Sequence, residues 1–132
     1  MSKIINLSEA SSIALHAMII ISRAKEPVNA DVIAEQTASS RHHVAKVMQR
    51  LTKEGYIGST RGPNGGFFMT GNPKKISLLN IYETIEGKIV ATKCPVDKQV
   101  CSFDKCFINN ITHQMTLDFA DYLKKQTLNK YV

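Results

Sequence analysis

The chain has 132 residues, 43% of them hydrophobic and 21% charged, which is the size and composition of one ordinary globular domain. Its longest apolar run, Ala17–Ile21, is far too short to span a bilayer, and the first residues lack a signal-peptide pattern, so a cytoplasmic location with no membrane partner is expected. Seventeen Lys and Arg against eleven Asp and Glu give a formal charge of +6, which favours polyanionic partners, DNA first among them.

In chain order, Ser8 is placed to cap a helix that runs to about Arg23. Ala10, Ile13, Ala14, Ala17, Met18 and Ile21 recur at spacings of three and four along it. Pro27 ends it, and Asn29 caps a short second helix through Ile33 and Ala34. Thr37–Ser40 supplies a tight turn, and a third helix is predicted from about Arg41 to Glu54. Val44, Val47, Met48 and Leu51 form its apolar stripe. The other face carries His42, Lys46, Gln49 and Lys53, flanked by Arg41, His43 and Arg50. Charges alone fit a solvated face, but a short helix, a tight turn and a basic-faced helix together form a helix-turn-helix pattern.

Gly55 closes the third helix, and residues 56–61 and 67–70 read as paired strands. The turn between them, Gly62-Pro63-Asn64-Gly65-Gly66, carries an Asn-Gly hairpin signal. A hairpin directly after a helix-turn-helix predicts a winged helix. The expected DNA contacts are Ser40, Arg41, His42, His43, Lys46 and Arg50 in the major groove. Arg61, Gly62, Pro63, Asn64 and Gly65 would contribute from the wing, with Arg61 suited to a narrow minor groove. Ser77 caps a fourth helix ending at Gly87, and a long helix is predicted from about Cys106 to about Leu128, with Ile108, Ile111, Met115, Phe119 and Leu123 as its stripe.

Between these last two helices lie all three cysteines, Cys94, Cys101 and Cys106. An odd number rules out a complete set of internal disulfides, and a clustered trio in a reducing compartment points to soft-metal ligation or thiol redox chemistry. No nucleophile–base set is visible, and the glycine turn lacks the phosphate-binding loop's terminal Lys-Ser/Thr, so an enzyme is not expected. The fold class is mainly α with a small two-stranded β wing. Residues 1–76 form the DNA-binding region, and 77–132 carry the cysteine loop and a dimerisation helix within one compact domain.

The run Arg61-Gly62-Pro63-Asn64-Gly65-Gly66-Phe67, the Leu7-Ser8 opening, the Ala17-Met18 pair and the three-cysteine loop before a long helix resemble the IscR and NsrR family of bacterial regulators, the Rrf-two type. That resemblance implies a homodimer binding a palindromic operator in double-stranded DNA, commonly as a repressor. It also implies one iron–sulfur cluster per subunit, 2Fe-2S or 4Fe-4S, on Cys94, Cys101 and Cys106. Members commonly space these cysteines evenly, whereas here the gaps are six and four residues. IscR-type members place a histidine where this chain has Asn109, and NsrR-type members use an acidic residue at the position of Ser12. The fourth ligand is therefore open among Glu9, Ser12, His16, Asp97, Asp104, Asn109 and His113. The alternatives are a cluster-free thiol or zinc sensor of the same fold, and a protein-binding adaptor whose basic face is incidental.

Overall fold

A computed structural model describes residues 7–91, 103–105, 107–108 and 111–132. Cys94, Cys101, Cys106, Asp97 and Asn109 lie outside the described residues.

Helix α1, Glu9–Arg23, starts where its cap dictates: the Ser8 hydroxyl accepts from the Ser11 N–H at 3.1 Å. It buries Ile13, Ala14, Ala17, Met18 and Ile21, the stripe legible in the sequence. Helix α2, Ala30–Thr37, is capped by Asn29, whose side-chain oxygen accepts from the Val32 N–H at 3.0 Å. It stops at Ala38, which adopts a left-handed conformation with φ of 52°. That conformation costs a non-glycine residue about 1 kcal/mol or more. The turn accepts this cost because it redirects the chain within three residues into α3, Arg41–Lys53, capped by Ser40 through the His43 N–H at 3.1 Å. Ala38→Gly is expected to raise stability by about 1 kcal/mol in a urea titration; an unchanged or lowered midpoint would contradict the strain.

Val44, Val47, Met48 and Leu51 on α3 are buried against α1 and α2. After Gly55, β1 (Ile57–Thr60) and β2 (Gly66–Met69) pair antiparallel, with Ile57 opposite Met69 and Thr60 opposite Gly66. The turn differs from the expected Asn-Gly hairpin. The Gly65 N–H donates to Gly62 O at 3.0 Å, so Pro63 and Asn64 are the central pair. Asn64 has no positive φ, as a type I turn requires, and Pro63 supplies the preset φ at the first central position. Val28 extends the wing on its far side: its N–H donates to Phe67 O at 2.9 Å, and Phe67 N–H returns a bond at 2.7 Å.

Helix α4, Leu78–Glu86, begins with a reciprocal capping box between Ser77 and Asn80 and packs on α1 through Ile81 and Ile85. Helix α5 spans Ile111–Lys125, a shorter element than the sequence predicts at both ends. Phe107 and Ile108 form a bend before it. Beyond it the chain turns back as a strap. Thr127 bridges Ser77, Leu78 N–H donates to Gln126 O at 2.8 Å, and Leu128 N–H donates to Ile76 O at 3.0 Å. The Leu128 side chain is fully buried in the core, ahead of a 3-10 turn over Leu128–Tyr131 that packs on α1. Leu128 therefore plugs the core and does not continue the α5 stripe. On α5 itself Leu123 is buried, Phe119 meets Tyr82 edge-on at 5.5 Å, and Ile111, Leu117 and Tyr122 are exposed.

Candidate nucleic-acid interface

Burying Val44, Val47, Met48 and Leu51 turns the other face of α3 outward. Arg41, His42, Lys46, Gln49, Arg50 and Lys53 are exposed there, and His43 is half-buried. Arg61, Gly62, Pro63 and Asn64 are exposed at the wing tip, and Gly65 is half-buried. Ser40 is exposed, and its hydroxyl is already used by the cap of α3.

The charges are not equally available. Arg41 Nε lies 3.3 Å from Asp31 Oδ1, and His43 Nδ1 lies 3.4 Å from Glu9 Oε1. Exposed pairs of this kind are worth little and can exchange partners, so they leave Arg41 free to engage a stronger anion. Lys46, Lys53 and Arg61 make no ion pair among the described residues. Arg50 stands apart from the rest of its face. Its Nη2 donates to Thr84 O at 2.9 Å and to Ile85 O at 3.0 Å, at the C-terminal end of α4. Sequence periodicity puts Arg50 beside the basic residues, and only the tertiary packing of α3 on α4 reveals this engagement.

Glycine has two separate uses in the wing. A Cβ on Gly65 would collide with Thr60 O and sit 2.8 Å from the Arg61 carbonyl carbon, so the closed turn requires glycine there. A Cβ on Gly66 would fall 2.5 Å from the Val28 carbonyl carbon, so the third-strand contact requires glycine there. Close approach of the protein's own backbone bears on both, and at Gly66 a φ of 156° adds a conformation that residues with a side chain rarely adopt.

Some of the residues considered as a fourth metal ligand already have partners in the fold. Glu9 is engaged with His43, and His16 Nδ1 lies 2.7 Å from Ser12 O within α1. Asp104 is exposed, and His113 is half-buried in the first turn of α5. Among the described residues no cluster of three His, Cys, Asp or Glu side chains is arranged to hold a metal; the cysteines are not among them. No helix among the described residues is long and apolar enough to cross a membrane.

Residues 7–132 match the Rrf2 family, described as iron-dependent transcriptional regulator. The chain belongs to the Rrf2 family. The IscR regulator of Pectobacterium atrosepticum is 26% identical over 106 residues, which are 80% of this chain and 65% of that protein. The putative regulator BadM of Rhodopseudomonas palustris is 35% identical over 81 residues, 61% of this chain and 52% of that protein. The chain thus spans less than two thirds of the length of these relatives. Among solved structures, CymR of B. subtilis, titled the global cysteine regulator, superposes with a TM-score of 0.75 at 20% identity, covering 95% of this chain and 94% of that one. IscR of T. potens superposes with a TM-score of 0.71 at 20% identity, covering 95% and 84%. Together they establish the winged-helix Rrf2 fold, and the relatives named are transcription regulators, not enzymes.

Proposed function

We propose that this Rrf2 protein is a cytoplasmic, homodimeric DNA-binding repressor. It reads a palindromic operator through α3 and the wing, and its affinity is set by the chemistry of Cys94, Cys101 and Cys106. The observation that carries the DNA reading is the exposed basic face of α3, on which Lys46 and Lys53 make no ion pair among the described residues, followed by an exposed wing tip bearing Arg61. Ser40, Arg41, His42, His43 and Lys46 are assigned to the major groove, and Arg61 with Gly62, Pro63, Asn64 and Gly65 to the minor groove. Arg50 belongs to the same face but is engaged with α4. The exposed Ile111, Leu117 and Tyr122 on α5 support a second copy docking there, as operator symmetry calls for.

For the sensor, the family description as iron-dependent and the three soft thiolates support an iron–sulfur cluster on the three cysteines. When bound, such a cluster supplies an iron whose fourth ligand can be displaced by small oxidants. The boundary near residue 76 divides reader from sensor in function, while the buried core draws on both parts.

Purification without oxygen, followed by absorbance, iron and sulfide analysis and operator binding over a salt series, tests the whole reading. The wild type is expected to show visible charge-transfer absorbance that Cys101→Ala loses. Its log affinity should fall linearly with log salt, and Lys46→Ala should reduce that slope by about one. A flat salt response would overturn the DNA reading. A colourless protein that takes up no iron on reconstitution would overturn the cluster; diamide-sensitive binding in that protein would assign the cysteines to a thiol switch.

A further inference from the structure

Three polar ties converge on the C-terminal turn of α4. Arg50, in the last turn of α3, donates to the Thr84 and Ile85 carbonyls. On the other side, the Glu86 carboxylate accepts from Ser11 Oγ at 2.5 Å and from Ser8 Oγ, at the start of α1. The exit from the turn is held as well, by Gly87 N–H on Glu83 O at 2.9 Å and Ile89 N–H on Glu83 Oε2 at 2.7 Å.

Each tie has a physical reason. The last carbonyls of a helix lack intrahelical donors and carry the negative end of its dipole, so the Arg50 cation caps α4 from another helix. Ser11 is a polar side chain with no exposure, and Glu86 gives its hydroxyl an acceptor. The hydrogen bonds from Ser11 and Ser8, helped by the nearby Arg50 charge, hold the Glu86 carboxyl below the usual carboxylate range. It is therefore ionised through the neutral range, when its hydrogen bonds are strongest. Ser8 does double duty, since the same hydroxyl caps α1.

The geometry gives this turn leverage over α3. Arg41 and Arg50 are nine residues apart on one helix, about 13 Å along its axis. A small shift at the Arg50 end swings the Arg41, His42 and Lys46 end, where a fraction of an ångström decides whether a side chain meets its base or phosphate. We propose that the C-terminal turn of α4 sets the angle of the recognition helix, and that Arg50 and Glu86 are positioning residues for DNA reading. This deepens the DNA-binding function proposed above and rests on it.

Glu86 lets the inference be tested by sign. Removing this carboxylate raises the formal charge from +6 to +7, so electrostatics alone would tighten DNA binding. Positioning predicts the reverse. The probe is a duplex recovered with the wild-type protein from a random-sequence pool. On it, Glu86→Ala is expected to bind about tenfold more weakly, with an unchanged salt slope. Glu86→Gln, whose amide oxygen still accepts from both serines, should recover part of the loss. It also serves as the test should the alanine variant fail to fold. Hydrogen exchange of the α3 amides should quicken in Glu86→Ala. Equal or tighter binding by both variants would overturn the proposal, as would weakening with a slope change of about one. If the wild type selects no duplex, the DNA reading has failed and this inference with it; faster α3 exchange in Glu86→Ala would then still locate the tie between the helices.

Discussion

Replacing Leu128 by alanine is expected to cost about 3 kcal/mol of folding stability, more than any surface change in the chain. Leu128 has no solvent exposure and belongs to the same buried cluster as Ile13, Met18 and Ile81, so truncation opens a cavity in the middle of that cluster. The backbone bond from Leu128 N–H to Ile76 O does not depend on the side chain and resists collapse of the cavity. Urea unfolding should show a lowered midpoint with an unchanged slope, the sign of lost stability without a change in exposed area. A loss below about 1 kcal/mol would mean that the strap only covers the core. The neighbouring exposed Lys130 makes a contrast: its ammonium donates to Lys125 O at the surface, and Lys130→Ala should fall within about 0.5 kcal/mol of wild type.

The second large effect is expected at Gly66→Ala. The added Cβ would stand 2.5 Å from the Val28 carbonyl carbon, 2.6 Å from its oxygen and 2.8 Å from the Asn29 nitrogen. These are all backbone atoms, with no flexible side chain to move aside. Relief requires separating β2 from Val28, which breaks both Val28–Phe67 hydrogen bonds and disturbs Asn29, the cap of α2. A cost of about 3 kcal/mol follows, together with displacement of the wing tip that carries Arg61. Operator affinity should drop at least about tenfold under conditions where the variant is fully folded, because misplacement and not unfolding is then the cause. Gly62→Ala separates clash from strain. Nothing lies within 4 Å of its Cβ, but φ is 106°, so it should lose about 1 kcal/mol and leave the wing's attachment intact. Gly66→Ala binding within twofold of wild type would show that the Val28 contact does not position the wing.

Much of the reading half was legible in the sequence because its signals are local. Ser8, Asn29, Ser40 and Ser77 each cap the helix that follows them, and each does so with its own side chain on a backbone N–H three residues on. The fully buried residues of α1 and α3 follow the 3.6-residue period of a helix that keeps part of its surface toward solvent. Two of the misread features, the end of α5 and the role of Arg50, depend on residues distant in sequence. The apolar spacing from Ile108 to Leu123 is followed by no Gly or Pro before Leu128, and so reads as one long helix. The helix stops at Lys125 because Gln126 and Leu128 find backbone partners at Leu78 and Ile76, which no local pattern announces. Arg50 likewise reads as one more cation on a basic face until α4 is placed against it. The Pro63–Asn64 turn could have been foreseen: Pro at the first central position is a stronger local constraint than the Asn-Gly pair beside it.

The strap also fixes an order of events during synthesis. A ribosome delivers α1 through α4 before residues 126–131, yet the core of those helices includes Leu128, and Arg23 at the end of α1 donates to Tyr131 O, 108 residues further on. A nascent chain that has emerged only as far as α4 therefore holds an apolar slot with nothing to fill it. Its winged helix can be largely shaped but not sealed, a state open to chaperones and proteases until the strap arrives.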